Sequence, residues 1–305
     1  MKNFDPTEYL AFESVSGSQL YGTDTPESDL DTRGVFLPPM EFTLNPFLDA
    51  DVFDKFEGED RVLYSMSKFF KLSYENNPNI LELLYVPDDK VLFMSDAWEL
   101  VVENRELFLS KRVAKKFMGY AFGQLARLEA HRRWFVNPPN RKPLREDFGL
   151  NHTPDVSMVW LESLKNTMNF SILKPEYADM ARREMAYRDE KRDWDNYKKW
   201  KETRNPARRG SEEMYGYDTK FAMHVFRLME EGRQLLLNHE VEFPLHNAEF
   251  LLGVRRGSMS YKEMMEMADS LKEDFERWNR DSSLPDNPDM WALVDLYMKV
   301  LEMSQ

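Results

Sequence analysis

The feature that most constrains the fold is a change of texture near residue 95. Before it, Gly17, Gly22, Pro26, Gly34, Pro38, Pro39, Pro46 and Gly58 cut the chain into short apolar stretches. Runs of that length between turn formers favour strands. Strands are expected over 9–15, 30–37 and 61–64, with a poorer candidate at 41–44. A helix is expected over about 65–75, stopped by Asn76-Asn77-Pro78, because the residue before a proline is pushed out of the α region. Leu81, Leu83, Leu84, Tyr85 and Val86 read as buried.

After residue 95 the apolar spacing turns helical, over 110–133, 177–204, 218–239, 261–279 and 290–303. Between the first two of these, the prolines and polar residues of 135–149 predict a loop. The expected fold class is α+β, with a small α+β domain over 1–95 and a larger helical domain over 96–305. The helical domain carries a proline-rich, mildly basic insert around 131–215. That insert holds 18 Lys and Arg against 14 Asp and Glu, a net of +4 in a chain whose formal charge is −13. A uniformly basic nucleic-acid surface is therefore excluded.

The chain has no cysteine, which removes disulfides and thiolate metal sites. His131, His152, His224, His239 and His246 are scattered, without the spacing of a metal-ligand pair. Any metal is expected to be hard and oxygen-bound, magnesium or manganese. The acidic start and the lack of a long apolar run predict a cytoplasmic protein without membrane contact.

The segment 15–36, VSGSQLYGTDTPESDLDTRGVF, carries the chemistry. An apolar strand runs into Gly17-Ser18, read as a turn where the glycine lets backbone approach a phosphate and the serine adds a donor. A turn-rich loop then leads to Asp29-Leu30-Asp31. On a strand, side chains alternate, so Asp29 and Asp31 would share one face and could share hard cations. Arg33 would lie on the same face, either touching phosphate or ion-paired.

Gly-Ser followed by Asp-x-Asp resembles the signature of the DNA polymerase β-like nucleotidyltransferase superfamily. The fuller string GSQLYGTDTPESDLDTRGVF is similar to its RNA-repair-pathway, RNA-ligase-associated branch, in phage-type members. FFKLSYENNPNILELLYVP (69–87), HRRWFVNPPNRKPLREDFGL (131–150) and YDTKFAMHVFRLMEEGRQLL (217–236) extend the resemblance over most of the chain. It implies a polymerase-β-like catalytic domain over 1–95 and two-metal phosphoryl transfer, with magnesium or manganese held by Asp29 and Asp31 and a nucleoside triphosphate gripped by Gly17 and Ser18. It also implies a third carboxylate on a later strand. Asp60 is the candidate, with Glu59 and Glu57 close enough to dispute it. The expected reaction moves a nucleoside monophosphate to an RNA end, tRNA included, and releases pyrophosphate. A protein acceptor, or a non-catalytic nucleotide- or RNA-binding module, are the alternatives.

Two further clusters stand out. Lys220, His224 and Arg227 fall on one helical face and could contact phosphates. His131-Arg132-Arg133-Trp134 and the basic residues after it could grip single-stranded nucleic acid, or form a stiff connector whose tryptophan packs inward.

Overall fold

The computed structural model describes residues 4–44, 51–54, 56, 58–152, 157, 160–161, 163, 174–204 and 206–303. The chain divides into two compact units, Met1–Leu128 with Thr219–Gln305, and Glu129–Asp218.

In the first unit, strand β1 (Leu10–Val15) runs into the short helix α1 (Gly17–Tyr21), followed by β2 (Asp31–Phe36) and a one-turn helix α2 (Met40–Thr43). Strands β3 (Val52–Phe53) and β4 (Asp60–Ser65) precede helices α3 (Met66–Tyr74) and α4 (Pro78–Leu81). A 3-10 turn at Glu82–Tyr85, strand β5 (Val91–Met94) and helix α5 (Asp96–Glu103) complete this part. The strands form one mixed sheet in the order β3-β4-β2-β1-β5, in which only the β2–β4 pair is parallel.

Packing sets this register. Gly34 in β2 faces β1 so closely that a Cβ would come within 2.5 Å of the Phe12 carbonyl oxygen. Phe12, Val35, Phe36 and Leu63 are almost fully buried, and Phe12 stacks on Trp98 of α5 at 4.6 Å. Ser65 caps α3 by accepting from the Lys68 amide at 3.1 Å. Beyond α3 the chain turns at Asn76, which has a left-handed φ of 54°. The Asn76 side chain is buried but satisfied, donating to the Phe108 carbonyl at 2.6 Å and accepting from Ser110 Oγ at 2.7 Å.

The α+β expectation holds: a five-stranded mixed sheet with helices is followed by mostly helical chain. Two local expectations do not, and one strand was missed. The poor strand candidate at 41–44 lies in α2 and its end, where the Leu44 amide bonds back to Met40 and no period-2 burial exists to hold a strand. Gly17-Ser18 is the first turn of α1, not a free turn. Strand β5 was not anticipated, since its exposed Leu92, Phe93 and Met94 show no polar alternation.

Helix α6 (Arg112–Val136) leads out of this part of the chain. The second unit contains α7 (Pro175–Thr203) and α8 (Pro206–Tyr215). Within it, Glu184 is buried and gripped bidentately by Arg145 at 2.8 and 2.7 Å, and by Arg188 at 2.9 Å. Trp134 is buried beside Tyr197 and Trp200, with its indole N–H on Asp193. That decides for inward packing at Trp134 over a stacking platform. Returning to the first unit, α9 (Thr219–Asn238), α10 (Ala248–Arg255), α11 (Tyr261–Asp281) and α12 (Met290–Glu302) close the chain. No described helix is long and apolar enough to cross a membrane.

Candidate active site

A cleft of about 740 Å³ in the first unit gathers residues from both halves of the sequence. Gly17, Ser18, Asp29, Asp31, Arg33, Asp60, Lys220, His224 and Arg227 all line it, whereas the rival carboxylate Glu59 and the His131–Trp134 cluster do not.

The centre is a pair of aspartates. Asp31 opens β2 and Asp60 opens β4, and the two are register partners in the parallel pairing. Their carboxyl groups hydrogen-bond to each other. Burial first, and then Asp60, hold the Asp31 pKa above the ordinary carboxylate range. Two carboxylates this close repel unless a proton or a cation stands between them. Gly17 is pressed against the pair, with a φ of 63° and no room for a side chain, because a Cβ would collide with the Asp31 carboxylate. The donors of the pair are all carboxylate oxygens, which suits a hard divalent cation. No three His, Asp or Glu side chains converge as a ready-made metal site among the described residues.

Asp29 lies just before β2, not on it, so strand alternation does not place it beside Asp31. It reaches the same cleft from the loop. Of the rival third carboxylates, Glu59 is exposed and turns towards Arg61 at 3.8 Å. Glu57 lies outside the described residues.

Beneath the aspartates sits a buried ionic network. Glu82 accepts from Tyr21 Oη at 2.8 Å and pairs with both Arg33 and Arg227. Arg227 also pairs with Glu231 at 3.1 Å and lies over the Tyr21 ring at 4.2 Å. Burial pushes the Glu231 pKa up, against the pull of Arg227. Arg33 and Arg227 are therefore held in place by carboxylates, not loose on the surface.

The sequence did not reveal several cleft residues. Arg255 donates to the Thr23 carbonyl at 2.9 Å, and the fully buried Thr23 hydroxyl has no partner. Asn79, Gly119, Tyr120, Gly123, Gln124 and Arg127 form another wall. Nothing in sequence spacing links positions 23, 124 and 255; only the fold does.

A second cleft, about 790 Å³, adjoins the first along Asp29 and Asp60. Glu13, Glu59, Arg61 and the exposed Leu30 are among its walls.

Comparison with known proteins identifies the segment that carries the aspartates. Residues 6–138 match the RNA repair pathway DNA polymerase beta family. The resemblance read from the sequence is shown for this segment, which holds Gly17, Ser18, Asp29, Asp31 and Asp60. The chain is also similar to an uncharacterized 38.9 kDa protein from the nrdC-mobD intergenic region of Enterobacteria phage T4. The two are 32% identical over 129 residues, which cover 38% of this chain and 37% of the phage protein. No solved structure matches. The match of residues 6–138 to a polymerase beta family suggests nucleotidyl transfer.

Proposed function

We propose that the chain is a metal-dependent nucleotidyltransferase that moves a nucleoside monophosphate from a nucleoside triphosphate to an RNA end, tRNA included, releasing pyrophosphate. The observation that carries this reading is Asp31 beside Asp60, in a cleft that Gly17 and Ser18 also line. The catalytic domain of the proposal is 1–95, and 96–305 supplies the helical remainder.

Asp29, Asp31 and Asp60 would hold magnesium or manganese, which when bound neutralises charge on the attacking and leaving oxygens. Gly17 and Ser18 take the terminal phosphates, with Lys220, His224 and Arg255 on the same cleft. Arg33 and Arg227, fixed by Glu82, add positive charge that need not reorganise during the reaction. The acceptor hydroxyl oxygen bonds to the α-phosphorus as the bond from that phosphorus to the β-bridging oxygen breaks. Asp60 faces both clefts and takes the hydroxyl proton.

A second reading keeps the chemistry and changes the acceptor to a protein side chain. The second cleft favours it: Glu13, Asp29, Glu59 and Asp60 there outnumber Arg61, which suits a basic peptide better than a polyanion. Incubation with magnesium, labelled nucleoside triphosphates and separate RNA and protein pools tests both. Label on RNA supports the first reading, label on protein supports the second, and nucleotide binding without transfer supports a non-catalytic module.

A further inference from the structure

The cleft has an asymmetry that phosphate chemistry does not use. Helices α1, α9 and α10 bring Ser18, Lys220, His224 and Arg255 to the lining. Helix α6 contributes Gly119, Tyr120, Gly123, Gln124 and Arg127, of which only Arg127 is charged, and Asn79 of α4 joins them. Helix α6 buries Val113, Phe117, Ala121, Leu125 and Leu128 on its inner face. Gly119 and Gly123, four residues apart, fall on one face and line the cleft.

Neither glycine is required by packing. A Cβ built at either position meets no atom within 4 Å, and both residues keep ordinary helical backbone. Glycine is the poorest helix former after proline, so two of them one turn apart weaken α6 with no gain inside the protein. What they leave clear is cleft space. Two further observations point to a ligand in that space. Gln124 Oε1 is buried and has no hydrogen-bond partner. Such an orphan acceptor implies a donor supplied from elsewhere. Tyr120 is partly exposed and is fixed at its hydroxyl by a 2.9 Å bond from Asn77 Nδ2.

We propose that this wall of α6 is the nucleobase subsite for the nucleoside triphosphate. The bare backbone at Gly119 and Gly123 admits the flat ring, Tyr120 borders it, and Gln124 meets a donor on its edge. The inference rests on the proposed nucleotidyl transfer, because it needs the phosphates at Gly17 and Ser18. A planar, uncharged heterocycle suits a wall with one aromatic ring, two side-chain amides and Arg127 as its single charge.

The test is equilibrium binding of ATP, CTP, GTP and UTP, and of inorganic tripolyphosphate, in magnesium. Wild type is compared with Gly119→Leu and Gly123→Leu. The best nucleotide should lose at least tenfold in affinity in either variant, while tripolyphosphate stays within twofold. Gln124→Leu should change the ranking of the four nucleotides. The double variant Gly119→Ala, Gly123→Ala serves as the fold control and should melt at a higher temperature than wild type. Unchanged nucleotide affinity in the leucine variants overturns the subsite, and so does an equal loss of both ligands. Wild type binding nucleotides no better than tripolyphosphate also overturns it, and leaves the transferase reading standing. Wild type that binds neither ligand overturns both.

Discussion

Asp31 and Asp60 act as a unit because their strands start side by side, and their effects on stability and on activity should oppose each other. Asp31 holds its proton to a higher pH in the folded state, first through burial and then through Asp60. The folded chain thus binds that proton more tightly than the unfolded one. Without divalent cation, stability falls as pH rises from the usual carboxylate pKa through the raised value. Asp31→Asn should therefore raise the melting point of the metal-free protein at neutral pH by about 2–4 °C. It should also lower turnover by roughly a thousandfold. Differential scanning fluorimetry in a chelating buffer reads the first, and label transfer the second. A lower melting point in chelator would contradict the strain assigned to the pair. Gly17→Ala should fail differently: the new methyl collides with Asp31 and the backbone is left-handed, so stability drops by more than about 1 kcal/mol. Urea titration would show it.

At the scale of elements, the decisive contact is the parallel pairing of β2 with β4. The sequence shows two acids before Arg33 and two more before Arg61, but not which of them meet. Parallel pairing from Asp31↔Asp60 onward settles it, and no local pattern encodes that register. Asp29 makes the same point in reverse. It reaches the cleft from a loop, so the alternation that predicted its placement was the wrong reason. Helix periodicity was easier to read, because the 3.6-residue repeat needs no partner: α7, α9, α11 and α12 lie close to where spacing puts them. The buried network beneath the site could not be read at all, since Tyr21, Arg33, Glu82, Arg227 and Glu231 come from four separate segments. Removing Glu82 leaves the buried Arg227 and the partly buried Arg33 poorly compensated. Glu82→Ala should cost about 3–5 kcal/mol of stability, measured by chemical denaturation. A loss below 1 kcal/mol would mean that water replaces the carboxylate.

At the scale of the molecule, each compact unit has its own ionic anchor. In Glu129–Asp218 it is Glu184, whose pKa is lowered because bonds from Arg145 and Arg188 outweigh its burial. Its stabilisation is present above the unfolded carboxylate pKa and fades as pH falls through the lowered folded value. Glu184→Gln should cost about 3 kcal/mol within that unit. Amide hydrogen exchange over α7 should report it, and unchanged protection there would refute the anchor. The division of the chain was only partly visible in the sequence. The insert betrays itself by charge and proline, but the return of residues 219–305 to the unit that holds the aspartates depends on packing between distant helices. Cleft residues such as Arg255 and Thr23 were hidden for that reason.

The central claim is that the Asp31–Asp60 pair is the metal-dependent centre of nucleotidyl transfer. Label transfer from α-phosphate-labelled nucleoside triphosphate, with and without magnesium, tests it most directly in wild type, Asp60→Asn and Glu59→Gln. Transfer should require magnesium or manganese, fall by roughly a thousandfold in Asp60→Asn, and stay within about threefold in Glu59→Gln. Transfer that survives Asp60→Asn, or that is lost in Glu59→Gln alone, would contradict it.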